Sequence, residues 1–485
     1  MKQSGKWLCK IILILTPLLI GTLGLVQSGE DLLDAAFSSF TMYAANYGED
    51  ASNWLVEVAR WTAPLATAGG VAMLFKPVAR AVYARLLSFS GRSVAVYGSH
   101  ELYESLRKEG RYPVVEGENG LLPAARYLLF GEEQENVDFY LKYKKKLKEK
   151  EVYMQCASLR SQVTAGTHLH LFSPEEIGAR LYWKQAGLYQ LFLEKGQPER
   201  EKDQFLTIAM IGFGRLGEEL LSWGLQNNIF SPSQGIRYEI YGDGRDFCAF
   251  HTQLDKLEDS IVFQDKPWSA CVSSLEKADR ILVCQQEQQL PLVQNLLFVL
   301  TGKELEVLAS APEDLDMVEE QARLHIFPWK EKALQAENLF DDVTLDRAKA
   351  INMRYVNLYS DASQQREENR KNKDLEWAKL NAFTRYSNIS SADYHEIRLQ
   401  MLKSWGESPE KEKISPEHFE LLSELEHIRW CRFHYLNNWR YGEMVDGKAK
   451  NAAARTHFDL QPYKKLSYEE QNKDRDTIGV LLQIP

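Results

Sequence analysis

The chain has 485 residues, of which 44% are hydrophobic and 26% charged, an ordinary globular composition with room for about three soluble domains. Its net charge of −10 argues against a nucleic-acid partner bound by neutralising phosphates, because that mode of binding needs a basic face. Six cysteines are scattered without a Cys-x-x-Cys motif, which favours free thiols and no metal site.

Between two apolar runs, Ile11–Val26 and Trp61–Phe75, the segment Glu30–Glu57 carries six carboxylates but no lysine or arginine, whereas the outer flanks of both runs are basic. The positive-inside rule then predicts that both ends lie in the cytoplasm. We therefore expect residues 1-90 to form an N-terminal α-helical transmembrane hairpin in contact with membrane lipid. The chain would be a multi-pass protein of the cell inner membrane with a large cytoplasmic C-terminal region. A cleaved secretory signal over Met1–Val26 is the alternative.

Between the two runs, Asp34–Tyr47 suits a short helix that dips into the membrane. It leads into Asn46, Tyr47, Gly48, Glu49 and Asp50, which resemble the loop of the two-span, pore-loop potassium-channel family. Asn46 stands where that family has its first glycine, so potassium selectivity does not carry over, but a ring of acids would favour cations. The resemblance implies a homo-oligomer, with a tetramer favoured. An ordinary extracellular loop between two anchors is the alternative.

Residues 91-200 are predicted to form a Rossmann-like α/β domain that has lost its nucleotide-binding glycines. Ser93–Tyr97 is an apolar strand that meets Gly98 and a helix. Further along, Ser173-Pro174-Glu175-Glu176 starts a helix with an N-cap serine, a proline at the first position and an acid at the third. Strands that alternate with helices imply a parallel sheet.

Residues 201-358 are predicted to form a second Rossmann-like domain, which keeps its glycines. Leu206–Ile211 is a continuous apolar strand, and Gly212-Phe213-Gly214-Arg215-Leu216-Gly217 and a helix follow it. Glycines at this spacing permit a tight turn, a close approach to a pyrophosphate, and packing of the helix on the strand. Asp243, after the next strand, is the candidate for a ribose hydroxyl. The predicted cofactor-binding residues are Gly212, Gly214, Arg215, Gly217 and Asp243, and the ligand is NAD(H) or another nucleotide. A retained fold with an empty site is the alternative.

The order of these segments carries a second resemblance. A pore hairpin followed by one degraded and one glycine-bearing nucleotide fold is similar to the family of channel and transporter regulators with paired potassium-conductance-regulating (RCK, TrkA-N) domains. The resemblance implies a ring of domains under the membrane that binds nucleotides or ions and alters gating.

Residues 359-485 begin with a charged linker and continue as a predicted helical module. Its clusters Glu424–Trp430, Asn438–Gly442 and Leu460–Tyr463 resemble the ryanodine-receptor repeat (RyR) domain, a small helical module also found in bacterial proteins. We therefore expect an all-α RyR-type domain at the C-terminus. In bacteria the resemblance implies a signal-binding domain attached to an effector, and with it a stress or antiviral role.

Aromatic planes and cationic donors in this module suit a stacked base with its phosphates held by a guanidinium. The predicted ligand-binding residues are Glu426, Arg429, Trp430, Trp439, Tyr441, Lys448, His457, Tyr463 and Arg475. In the alternative interpretation the tryptophans are core residues and the arginines pair with Glu424, Glu426 and Asp474. No metal is expected.

The sequence therefore predicts a multi-domain protein with a transmembrane hairpin, two α/β Rossmann-like domains and a C-terminal RyR-type domain. We expect a ligand-gated, cation-conducting ion channel that senses a nucleotide-derived signal and is not an enzyme, with no catalytic residues. The alternatives are a membrane-anchored NAD-dependent oxidoreductase and a non-conducting regulatory subunit of an ion transporter.

Overall fold

The computed structural model describes residues 2–46, 53–118, 120–156, 168–319, 321–359, 373–410 and 413–482. For residues 2–14, 69–77 and 357–359 it describes the backbone only. The chain divides into two compact units. One comprises Met1–Ala95 and Pro113–Ala125, and the other Val96–Tyr112 and Arg126–Pro485.

In the described part of the first unit, the α-helices are α1 (Lys2–Gln27), α2 (Leu32–Thr41) and α3 (Trp54–Ser88). Helices α1 and α3 approach closely at Gly24, where an added Cβ would lie 2.8 Å from Val56 Cγ2. Asn53 starts α3 by accepting a hydrogen bond from Leu55 N at 3.0 Å and donates to Gly24 O at 3.1 Å. The same side chain thus caps one helix and ties it to the other. The small core between the helices comprises Leu25, Ala35, Met42, Val56, Ala59 and Ala63.

The prediction of a transmembrane hairpin over residues 1-90 is wrong. Both apolar runs lie in helices, but no helix among the described residues has the length and apolarity that a membrane crossing needs. In α3, the charges of Arg60 and Lys76 bracket an uncharged run that contains Thr62, Thr67 and two adjacent glycines. A run of that length rises about 22 Å, less than the roughly 30 Å of a bilayer core. The multi-pass inner-membrane localisation and the ion-channel interpretation, which depended on this hairpin, are wrong for the same reason.

The predicted pore loop is described only at its start. Helix α2 ends at Thr41, and Ala45 adopts a left-handed conformation with φ of 54°. Asn46 follows as an exposed residue. The other predicted pore residues, Tyr47, Gly48, Glu49 and Asp50, lie outside the described residues.

The first sheet is parallel where its pairing is described. Its strands are β1 (Val94–Tyr97), β2 (Val114–Gly117), β3 (Arg126–Leu129), β4 (Glu151–Gln155) and β5 (Leu169–Phe172), in the order β2-β1-β3-β4-β5. Strand β4 pairs in parallel with both β3 and β5. The accompanying helices are α4 (His100–Glu109), α5 (Glu133–Leu147), α6 (Pro174–Gln185) and α7 (Tyr189–Glu194). This strand order is one of the two common doubly wound orders.

The second sheet has six parallel strands. They are β6 (Leu206–Ile211), β7 (Ile236–Tyr241), β8 (Ser260–Phe263), β9 (Arg280–Val283), β10 (Leu305–Leu308) and β11 (Leu324–Phe327). The order is β8-β7-β6-β9-β10-β11, which is the Rossmann order 3-2-1-4-5-6. The helices between the strands are α8 (Arg215–Asn227), α9 (Arg245–Phe250), α10 (Val272–Leu275) and α11 (Gln289–Val299). The Rossmann-like fold predicted for this segment is confirmed.

The C-terminal part is mostly helical. Its helices are α12 (Trp329–Ala333), α13 (Ala336–Phe340), α14 (Val343–Tyr359), α15 (Lys373–Lys379), α16 (Ala382–Ser404), α17 (Pro416–Leu436) and α18 (Tyr468–Leu481). A small sheet, β12 (Arg440–Tyr441), β13 (Lys450–Asn451) and β14 (Thr456–His457), lies between α17 and α18 in the order β12-β14-β13. The prediction of an all-α module is therefore wrong. Residues with positive φ, among them Asp446 and Arg455, turn the connection back on itself and let its short extended segments pair.

Arg432 on α17 fastens the helical module to the second sheet. Its guanidinium donates to Asp259 Oδ2 at 2.7 Å, to Glu258 Oε2 at 3.0 Å and to Leu225 O at 2.9 Å. Arg432 is 1% exposed and Asp259 5%. Removing either charge would leave the other buried and unpaired, so the pair fixes the position of α17.

Candidate functional site

The turn after β6 requires a glycine at its first position. Gly212 has φ of +88°, and a Cβ there would lie 2.6 Å from the backbone N of Gln285. Its own N–H donates to Tyr241 O at 3.0 Å. Gln285 follows the end of β9, so the turn sits where the carboxyl ends of β6 and β9 meet. In the Rossmann order, that point is the crevice where ligands bind.

The second and third glycines also have the geometry that a dinucleotide motif needs. A Cβ on Gly214 would meet nothing within 4 Å, whereas one on Gly217 would lie 3.1 Å from Gly212 O. Gly214 is the N-cap of the 13-residue helix α8, and as a glycine it has no side chain that could cap the helix. The open space at Gly214 therefore faces a helix N-terminus, whose N–H groups and positive pole favour an anion.

Phe213 anchors the loop from within. Its ring is 8% exposed and packs edge-on against Phe247 at 5.4 Å and Phe263 at 5.2 Å between ring centroids. Gly244, in the neighbouring turn, leaves room for Phe263, because a Cβ would lie 2.1 Å from that ring. Apolar packing thus holds the glycine loop in place before any ligand binds.

Asp243 lies two residues beyond the end of β7, beside the glycine loop. Arg245 donates from Nε to Oδ1 at 2.9 Å and to Oδ2 at 3.1 Å, and its backbone N donates to Oδ1 at 3.1 Å. These hydrogen bonds lower the pKa of Asp243 to about 2, so the carboxylate is charged. Arg245 was not among the predicted residues. Arg215, the first residue of α8, lies 3.4 Å from Glu133 Oε1 with its side chain half exposed.

A cavity of 360 Å³ opens in the helical module, between α14, α16, α17, α18 and the small sheet. Four of the predicted ligand-binding residues line it, namely Glu426, Arg429, Trp430 and His457. Arg429, 1% exposed, donates to Glu426 from Nε at 2.9 Å and from Nη2 at 2.7 Å, and from Nη1 to Ser390 Oγ at 2.9 Å. Burial would raise the pKa of Glu426, but Arg429 and Arg398 outweigh it and lower that pKa. Arg429 thus supports the wall of the cavity, as the alternative interpretation expected.

The other five predicted ligand-binding residues do not line this cavity. Trp439 is 5% exposed and packs with Cys431 and Leu460. Tyr441 is exposed and donates to Glu443 at 2.7 Å, and Lys448 is also exposed. Tyr463 donates a hydrogen bond to Glu420 at 3.1 Å. The guanidinium of Arg475 donates to the same carboxylate at 2.8 and 2.6 Å. The structure therefore places four of the nine predicted residues at the cavity and the other five elsewhere.

The cavity has polar residues that sequence reasoning missed. Asp459 is 7% exposed, and its carboxyl group shares a hydrogen bond with Glu470. Asn352 is 5% exposed, and its Nδ2 has no hydrogen-bond partner among the described residues. Burial and the neighbouring Glu470 raise the pKa of Asp459 to about 6. Asn352 lies in α14, far along the chain from the lining residues of α16, α17 and α18, so no local pattern marks it.

One lysine side chain at the cavity forms no ion pair with an acid among the described residues. Within the described residues, Lys450 has no ion pair, and its Nζ lies 5.6 Å from the ring centroid of Phe383 and 5.1 Å from that of Trp439. Burial lowers the pKa of this lysine. Lys473, in contrast, is paired with Glu470. In the ranges that the structure describes, no three His, Cys, Asp or Glu side chains are arranged to hold a metal ion.

No family model and no curated protein matches the sequence. Among solved structures, a dipicolinate synthase subunit from Bacillus halodurans is similar at 12% identity, over 50% of this chain and 94% of that chain, with a TM-score of 0.23. A likeness this distant carries no argument about function. The second sheet has the strand order and the glycine loop of a dinucleotide-binding fold.

Proposed function

We propose that this chain is a nucleotide-responsive regulatory protein that binds a dinucleotide of the NAD(H) class at the Gly212–Gly217 loop. The observation that carries the proposal is the shape of that loop. Gly212 has no room for a side chain, and Gly214 faces open space at a helix N-terminus. Both lie at the crevice of a 3-2-1-4-5-6 sheet, where a pyrophosphate accepts hydrogen bonds from backbone amides.

Asp243 would hold a ribose hydroxyl of the bound dinucleotide. Its only charged partner in the described chain is Arg245, and the two side chains are 58% and 88% exposed. An ion pair this exposed is weak, because water screens both charges, so a ribose can take over the carboxylate without a large penalty. Arg245 would then be free to approach a phosphate of the ligand.

A regulatory role, rather than hydride transfer, is supported by the connection between this site and the helical module. Helix α17 lines the cavity, and its end is bonded to the segment after α9. His251 Nδ1 donates to Leu436 O at 2.6 Å, and Asn438 Nδ2 donates to Phe250 O at 2.7 Å. Helix α9 begins at Arg245, beside Asp243. A ligand at one site that favours one position of α17 would therefore change affinity at the other.

Calorimetric titration of the full chain with NAD⁺, NADH, NADP⁺ and NADPH tests the proposal. We expect saturable binding of at least one dinucleotide by the wild type, and at least a tenfold loss in Gly214→Asp, because the new carboxylate fills the phosphate space with like charge. The substitution should not unfold the chain, since aspartate is a favoured N-cap residue and a Cβ there meets no atom.

The matched control is Thr301→Asp, which adds the same charge at an exposed turn remote from the loop. It should bind as the wild type does. No binding of any of the four dinucleotides, or equal affinity in Gly214→Asp and the wild type, would overturn the proposal.

The homotetramer and the stress or antiviral role stay predictions. Light scattering of the full chain checks the first of them.

A further inference from the structure

We propose that another cavity of the chain, of 470 Å³, binds a small organic carboxylic acid with an aromatic body. Helix α8, the start of α16, the end of α17 and the loop between β13 and β14 form this cavity, which we call the α8 cavity. Its volume lies within the range of about 300 to 1,000 Å³ that is usual for small-molecule sites. No residue of the Gly212–Gly217 loop lines it, so the inference does not rest on the proposed function.

The walls of the α8 cavity are rich in aromatic side chains. Six of them line it, namely Trp223, Phe250, Phe383, Tyr386, Phe433 and Trp439. Phe250 is 72% exposed, so a ligand that packs on it removes apolar surface from water. Aromatic walls favour a flat, apolar ligand, because rings pack against each other in stacked or edge-on arrangements.

Arg455 is the only lysine or arginine among the described residues that line the α8 cavity. Its Nη1 donates to Asn437 O at 3.5 Å, which is a long hydrogen bond, and its guanidinium forms no ion pair within the described chain. A guanidinium has five N–H donors in a planar fork that matches a carboxylate. The cavity therefore offers a place for a negatively charged group beside its aromatic walls.

The charge of the α8 cavity favours a carboxylate over a phosphate. One acid, Glu219, lines the cavity together with Arg455. A phosphate group carries a charge of about −1.5 to −2 at pH 7, so it would exceed the charge of the one cation and be repelled by the acid. A carboxylate carries the single negative charge that one guanidinium balances.

The turn that carries Arg455 leaves one side of the α8 cavity open. Ala452, the first of three consecutive alanines, lines the cavity with only a methyl group. Arg455 follows this run with φ of 49°, a left-handed conformation that residues other than glycine adopt rarely. The turn thus sets where the arginine side chain begins, and the small alanine leaves the ligand room to enter.

The α8 cavity adjoins the contact between α9 and α17. His251, Leu436 and Asn438 line it, and they belong to the hydrogen bonds that join the segment after α9 to the end of α17. A bound acid contacts both sides of this connection. It therefore stabilises the arrangement of α9 and α17 in which the cavity is formed.

Titration of the full chain with indole-3-propionate, followed by saturation-transfer NMR of the ligand, tests the inference. Indole-3-propanamide is the uncharged control ligand. We expect saturable binding of the acid, at least fivefold tighter than that of the amide. Arg455→Gln, at an exposed position, should weaken binding of the acid at least fivefold and leave that of the amide unchanged. Lys465→Gln removes the same charge at an exposed position outside the cavity and should leave both affinities unchanged.

A pair of tryptophan variants tests where the acid binds. Ala452→Trp fills the cavity from its open side and should weaken binding of the acid at least tenfold. Ala453→Trp adds the same side chain at a neighbouring position that does not line the cavity, and its affinity should match the wild type. Both alanines are exposed, so neither substitution disturbs the core. No saturable binding of the acid, equal affinity for it in Arg455→Gln and the wild type, or equal affinity in the two tryptophan variants would each overturn the inference.

Discussion

Arg429 and Glu426 form a two-point ion pair inside the helical module, with Nε to Oε2 at 2.9 Å and Nη2 to Oε1 at 2.7 Å. The two residues are 1% and 3% exposed. Arg398 donates to the same carboxylate and is itself fully buried, so one acid serves two guanidinium groups. The pair closes one wall of the 360 Å³ cavity, and the cavity's shape depends on it.

Arg429→Ala should therefore destabilise the chain rather than weaken ligand binding selectively. It removes one of the two cations that neutralise a buried carboxylate, and breaking such a pair costs about 3 to 5 kcal/mol. Urea unfolding of the full chain measures the loss. Arg440→Ala, at an exposed position a few residues beyond α17, should change stability by less than about 0.5 kcal/mol. Equal stability of the two variants would show that Arg429 is not a structural residue.

Gly212→Ala should lower the free energy of unfolding through both backbone strain and a clash. Its φ of +88° disfavours any L side chain, and its Cβ would approach Gln285 N to 2.6 Å. Strain of this kind costs about 1 to 3 kcal/mol. Gly302→Ala measures the backbone strain without the clash, because Gly302 has φ of +77° and open space around it. In thermal unfolding, Gly212→Ala should therefore have a lower melting temperature than Gly302→Ala. The same melting temperature for both would mean that the loop relaxes and that its close approach to β9 is not required.

The stability of the chain should depend on pH through Asp459. Burial and the neighbouring Glu470 raise the pKa of Asp459 to about 6 from an ordinary value of 3.8. The folded chain then binds this proton more tightly than the unfolded chain, so the contribution of Asp459 to stability falls as pH rises from about 4 to about 6. Asparagine does not titrate. The difference in melting temperature between Asp459→Asn and the wild type should therefore grow in favour of the variant over this window. A difference that is constant from pH 4 to pH 7 would contradict the raised pKa.

The sequence predicts the shape of the glycine loop well because its determinants are local. A buried strand, three glycines at fixed spacing and the start of a helix lie within twelve residues, and Gly212, Gly214 and Gly217 each have the geometry that their spacing implies. The prediction of a transmembrane hairpin fails for a different reason. It depended on the asymmetry of charge around two apolar runs, and that asymmetry does not show how apolar the runs are. The run before Lys76 is rich in alanine, glycine and threonine, which contribute little to a membrane crossing.

The cavity could be predicted only in part, because residues distant in sequence form it. Glu426 and Trp430 lie on one helix, whose pattern marks them, but Asn352 comes from α14 and Asp459 from the loop before α18. Only the packed structure shows that these residues line one cavity. Arg429 shows the converse case, since a basic residue that suits a phosphate in the sequence is held by a neighbouring acid in the fold.

Hydrogen–deuterium exchange of the full chain with and without NADH tests the dinucleotide assignment most directly. A pyrophosphate at the loop accepts hydrogen bonds from amides at the start of α8, so these amides should exchange more slowly when it is bound. We predict that NADH slows exchange in peptides spanning Gly212–Glu218 in the wild type and has no such effect in Gly214→Asp. Unchanged exchange across this turn in the wild type at a saturating concentration of NADH would contradict the assignment.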